Sequence, residues 1–198
     1  MVAAFATSYF PSIGYLNTIC AAENPVIDLG EHCKKQTERN RCAILTSNGI
    51  QNLSVPIIRP NGNKSTTSEI IISYVEAWER DQCRAITAAY AHAPYFEHYS
   101  NEIFSMIGSK SEKLIDLNSL ILNQLIEWLE LPLDAAFSEM YLESPETDFR
   151  DFQFDALDKT YIQVDFAQPT FVPNLSILDA LFCLGPIARN LIIAPHTI

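Results

Sequence analysis

The chain predicts a mixed α/β (α+β) fold, and three observations carry that expectation. Two short apolar stretches, "VAAFATSYF" (2–10) and "PVIDLG" (25–30), flank a segment with helical spacing, which gives a strand–helix–strand start. "RCAILT" and "QNLSVPII" then stand on either side of "SNG", a hairpin signal for a small mixed sheet. From residue 75 the pattern turns to helical periodicity, and a last apolar helix, "FVPNLSILDALFCLGPIARNLI", packs back on the sheet.

Each element has its own warrant. The aromatic-rich run 2–10 reads as a buried strand. Pro11 opens a first helix in which Ile13, Leu16 and Cys20 share one face, with Pro tolerated in the first turn. The second strand ends at Gly30, and "SEIIISY" (68–74) reads as another strand. Residues 75–93, 95–107 and 111–130 read as three helices, broken at Pro94 and around "GSKS", and define a helical middle of about 75–131. Leu114, Leu117, Ile121, Leu125 and Trp128 make one apolar stripe at helical spacing. Residues 134–165 are acidic and weakly periodic, and read as a loop-rich surface excursion. The last helix reads as capped by Asn174 and stopped at Gly185-Pro186.

Length and composition narrow the function. At 198 residues, with 48% apolar and 19% charged residues, the chain reads as one globular domain over 1–198. A formal net charge of −11 argues against nucleic-acid or anionic-membrane partners, which need a broad basic surface. Five cysteines at 20, 33, 42, 83 and 183 form no CxxC pair, which fits reduced thiols in a cytoplasm rather than a disulfide framework or zinc ribbon. The first 22 residues lack side-chain charge, and Ser8, Pro11, Ser12, Gly14 and Asn17 interrupt their apolar run, unlike a secretory signal. No stretch of about 18 apolar residues suggests a membrane span. No cofactor motif is present, and the histidines at 32, 92, 98 and 196 match no metal-ligand spacing. Neither a cofactor nor a metal is expected.

One segment contradicts the acidic balance. In "EHCKKQTERNRCAI" (31–44), Lys34, Lys35, Arg39 and Arg41 fall within eight residues, preceded by His32. Such a run is either a solvated or intramolecularly paired face or an anion site. The anion reading places it against the start of the first helix, near Ser12 to Gly14, where free backbone N–H groups and Arg forks would hold a phosphate. Two polar residues fall on apolar faces: Gln82 on the stripe of Trp78, Ala85 and Ala89, and Asp179 on that of Leu175, Leu178 and Phe182. A buried carboxylate needs a partner, so Asp179 is expected to pair with Arg39 or Arg41.

"YFPSIGYL", "KKQTERNRCAI", "LSVPI", the Trp78 helix ending in "AYAHAPYFEHY", and "FVPNLSILDALFCLGP" together resemble the WbqC-like family over nearly the full chain. Many members of that family are small cytoplasmic bacterial proteins, some encoded with surface-polysaccharide (O-antigen-type) genes. The resemblance implies a cytoplasmic enzyme or accessory protein of surface-polysaccharide biosynthesis, a transferase in one reading. Its partner would be a small anionic substrate, phosphorylated or nucleotide-linked. Tyr9, Tyr15, Lys35, Arg39, Asn40, Arg41, Tyr95 and Asn174 then become candidate substrate-binding residues, and Asp179 and His32 candidate acid/base groups. Where short members of the family read His-Trp-Arg, this chain has Gln82-Cys83-Arg84, which removes one histidine acid/base and favours the alternative of a non-catalytic binding or scaffolding protein.

Overall fold

A computed structural model describes residues 1–34, 36–155, 158–164 and 170–193. Lys35 and His196 lie outside the described residues, as do parts of the acidic segment. The strand–helix–strand start is present as β1 (Ala3–Phe5), α1 (Ile13–Ala21) and β2 (Pro25–Asp28). β1 and β2 pair in parallel, Ala3 opposite Pro25. The first strand is shorter than its apolar run predicts. After Phe5 the chain leaves the sheet: Tyr9 N–H bonds the Glu38 carbonyl, and Phe10 turns into the left-handed region at φ 39°. The run is apolar because it is buried, not because it is extended.

The hairpin forms as expected from β3 (Arg41–Thr46) and β4 (Gly49–Ser54), turning through Ser47-Asn48. A two-stranded ribbon follows, β5 (Ile57–Ile58) with β6 (Ile71–Ile72). The strand expected over 68–74 shrinks to two residues because a Thr66–Glu69 capping box winds the preceding residues into a 3₁₀ turn. The helical middle is α2 (Trp78–Tyr90), α3 (Phe96–Ile107) and α4 (Leu114–Leu129). Leu114, Leu117, Ile121 and Leu125 are buried and Trp128 half-buried, as the stripe requires. α4 ends where Glu130 adopts the left-handed region at φ 46°.

The acidic segment departs most from its expectation. It contributes β7 (Ala136–Ser138) and β8 (Thr147–Asp148), the two outer strands of a parallel sheet ordered β7-β2-β1-β8. Strands of two or three residues leave no period-2 signal, so local pattern could not reveal them. The chain here is held by side chains. Arg150 spans Asp28 of β2 and Asp148 of β8 with bonds of 2.6 Å to each carboxylate. Gly30 allows the β7–β8 connection to approach, since a Cβ there would stand 2.1 Å from the Tyr141 nitrogen.

The last helices are α5 (Ile177–Leu184) and α6 (Arg189–Ile192). The cap of α5 is Ser176, whose Oγ accepts from Leu178 N, and not Asn174. Asn174 instead sits at φ 53° and turns its amide towards α1. α5 packs back on β3 and α3, anchored by Ser176 N–H on the Ala43 carbonyl. It ends at Gly185, where φ is +60° and the Tyr95 ring leaves no room for a Cβ. All five cysteines are free thiols. No helix of the described residues is long and apolar enough to cross a membrane.

Candidate functional site

A cavity of about 810 Å³ opens where the hairpin, the start of α1, the 36–41 turn and the strap 149–155 meet. Its floor is one face of the hairpin. Arg41 pairs with Ser54 and Ala43 with Asn52 across the two strands, so their side chains share a face, while Ile44 and Leu53 belong to the core. One wall is aromatic. Phe5 stacks on Phe149, which touches Phe152, then Phe154, then Tyr15, with centroids 4.8 to 5.4 Å apart. Tyr15 in turn meets Phe5, so the rings close into a cluster whose exposed member is Phe152.

The basic segment does lie against the start of α1, but the helix terminus is not an open anion site. Ser12 N donates to the Glu38 carboxylate at 3.3 Å, Ile13 N to the Leu175 carbonyl, Gly14 N to Asn174 Oδ1 at 3.1 Å, and Tyr15 N to Ser12 Oγ. The chain's own groups occupy the donors that a phosphate would have used. Glu38, the acid inside "KKQTERNR", supplies the negative charge that the helix dipole favours.

The cations divide into paired and available. Arg39 is 3% exposed and locked: its fork meets Glu31 at 2.7 and 2.6 Å, and Nη2 also donates to the Arg150 carbonyl. Lys34 reaches across the mouth to Asp151 on the strap, both ends exposed. Arg150 is taken by Asp28 and Asp148. Arg41 is half-buried, donates only to Ser54 Oγ at 3.0 Å, and meets no carboxylate among the described residues.

Of the residues singled out from sequence, the structure brings Tyr15, Arg39, Arg41 and Asn174 to this cavity. Tyr15 presents its ring and ties its hydroxyl to the Ala6 carbonyl; Asn174 bridges Gly14 N and the Phe154 carbonyl. Lys34 lines it as well, whereas Tyr9, Asn40, Tyr95 and His32 lie elsewhere. Tyr9 is fully buried and donates to Gln82 Oε1 at 2.6 Å, which also accounts for Gln82 on its apolar face. Asn40 is buried and donates to the Val55 carbonyl. Tyr95 packs on Gly185, and His32 is exposed beside Thr66.

Asp179 is fully buried, but the expected pairing with Arg39 or Arg41 is wrong. Tyr90 OH, Tyr161 OH and Gln163 Nε2 donate to it instead. Arg39 was already committed to Glu31, eight residues away in sequence, and Arg41 points across the hairpin to Ser54. Burial pushes the Asp179 carboxyl up, and the three donors offset part of that rise.

Two features of the site escaped sequence reasoning. Glu38 could have been noticed as the lone acid in a basic run. Burial raises its pKa, and only the Ser12 and Ser8 donors oppose that shift. The strap 149–155 had no local signal, since it reaches the cavity only because β8 pairs with β1.

Fold and cavity together define an α/β protein with a polar-aromatic pocket of a size typical of small-molecule sites. The WbqC-like protein family model matches residues 7–153, and the chain belongs to that family. That span holds the hairpin, the 36–41 turn and most of the strap. No curated protein and no solved structure matches the chain.

Proposed function

We propose that this WbqC-like chain is an enzyme or accessory protein of surface-polysaccharide biosynthesis in the cytoplasm, holding a phosphorylated or nucleotide-linked small molecule in the cavity. The observation that carries this reading is Arg41. It is a guanidinium on a rigid hairpin face, turned into an 810 Å³ cavity with no carboxylate on it among the described residues. A guanidinium so placed is suited to bind a phosphate through paired N–H donors. Phe152 and Phe154 offer apolar faces to a sugar or base. In the transferase form of the reading, the acid/base is Glu38, which lines the cavity, rather than Asp179 or His32, which do not.

A non-catalytic binding role is the second reading, and one observation favours it. No histidine lines the cavity among the described residues, and Cys42, the thiol that does, is buried with its pKa raised, so it is a poor nucleophile.

The test is calorimetric titration with sugar phosphates and nucleotide sugars. Arg41→Gln is expected to weaken the binding of a phosphorylated ligand by about 10- to 100-fold, the worth of one charge-assisted contact at about 1.5–3 kcal/mol. The unfolding midpoint should hardly move, because among the described residues Arg41 makes only the Ser54 bond. Unchanged affinity in a folded Arg41→Gln protein would remove this reading.

A further inference from the structure

We propose that the cavity selects a ligand carrying both a phosphate and a protonated amine, an amino-sugar phosphate or nucleotide-linked amino sugar, with Arg41 on the phosphate and Glu38 on the ammonium. The inference rests on the anion-binding reading of the same cavity and adds the polarity of the rest of the ligand.

The cavity carries an imbalance of charge. Two buried acids, Glu31 and Asp28, have cationic partners that line the cavity, Arg39 and Arg150, while the buried Asp179 is held by neutral donors away from it. Glu38 is different. It is half-buried, lines the cavity, and among the described residues accepts only from neutral donors. Ser12 Oγ donates to it at 3.0 Å and Ser12 N at 3.3 Å, with Ser8 Oγ at 3.4 Å. A carboxylate withdrawn from water without a cation carries a desolvation cost that a bound ammonium would offset. Burial raises its pKa accordingly.

Arg41 shows the opposite imbalance, a cation without an acid. Glu38 and Arg41 stand three residues apart, on the turn that enters β3 and on its first residue, and both line the same cavity. They do not neutralise each other, since no ion pair joins them. A ligand bearing both complementary groups satisfies both at once. The other carboxylates of the cavity, Asp151 and Asp155, are exposed, and Asp151 is bridged to Lys34, so water already screens them.

Calorimetry at neutral pH with glucosamine 6-phosphate, N-acetylglucosamine 6-phosphate, glucose 6-phosphate and inorganic phosphate separates the contributions. The wild-type protein should bind the free amine at least about tenfold more tightly than the hexose phosphate, and the N-acetyl compound no better than the hexose. Equal affinity for amine and hexose overturns the inference while leaving the anion reading intact. No binding of any phosphate overturns both.

Glu38→Gln keeps an acceptor for Ser12 N but removes the charge. It should abolish the amine preference and leave hexose phosphate binding within about twofold. A preference that survives in folded Glu38→Gln assigns the ammonium elsewhere and overturns the role of Glu38. Should that variant not fold, Asp151→Asn and Asp155→Asn decide: a retained preference supports Glu38, and a lost one overturns it. UDP-glucosamine against glucosamine 1-phosphate distinguishes a nucleotide-linked from a free source.

Discussion

Arg39→Ala is expected to destabilise the protein by about 3–5 kcal/mol, the usual cost of removing one member of a buried ion pair. Its guanidinium fork meets Glu31 with two bonds, and both side chains are under one-tenth exposed. Without Arg39 the Glu31 carboxylate keeps, among the described residues, only the Thr67 hydroxyl at 3.4 Å. The same side chain holds the Arg150 carbonyl at the base of the strap. Ligand affinity should therefore fall along with stability. Most of the loss comes from leaving a charge buried alone, so the double change Arg39→Met with Glu31→Leu should restore most of it. Urea denaturation measures both. A loss below about 1 kcal/mol for Arg39→Ala would mean that the pair behaves as an exposed one.

Asp179→Ala has the second-largest expected effect, about 3 kcal/mol, because it leaves buried donors without an acceptor. Tyr90 carries most of this. It is fully buried at the end of α2 against Phe182 of α5, where its hydroxyl also accepts from Leu45 N, so no water can replace the lost bond. Tyr161 and Gln163 lie on a half-buried segment and can turn to solvent. Asp179→Asn keeps an acceptor oxygen and should lose much less.

The pH dependence has a definite sign. Burial raises the folded-state pKa of Asp179 above its unfolded value, so the native protein holds that proton more tightly. Its contribution is full below the ordinary aspartate pKa and is lost as pH rises through the raised one. Asp179→Asn should flatten the fall of stability in that window, and a slope identical to wild type would show that the carboxylate titrates normally.

Legibility in the sequence followed range. Features set by neighbours in the chain were readable: the two-residue turn at Ser47-Asn48, the stripe Leu114–Leu117–Ile121–Leu125, and the breaks at Pro94 and Gly185. Helical spacing also put Gln82 and Asp179 indoors correctly. What failed was the choice of partner, since a wheel reports which face a residue occupies and not what waits opposite. Asp179 met tyrosines and a glutamine from a loop, where an arginine was expected. The helix start was read as open for a related reason. Free N–H groups at a helix start invite an acid, and the chain supplied its own in Glu38, while Arg41 meets no carboxylate among the described residues. β7 and β8 were invisible because strands this short owe their existence to pairing and to Arg150 rather than to their residues.

The most direct test of the cavity as the ligand site is to titrate the isotope-labelled protein with a nucleotide sugar and map backbone amide shifts by two-dimensional NMR. The chain, at 22.3 kDa, is small enough for complete assignment. The account predicts saturable shifts concentrated on 36–43, on Asn52, on the strap 149–155 and at Asn174 to Ser176. Saturable shifts centred instead around His32 and Thr66, or around Asp179 and Tyr161 with the strap unmoved, would contradict it.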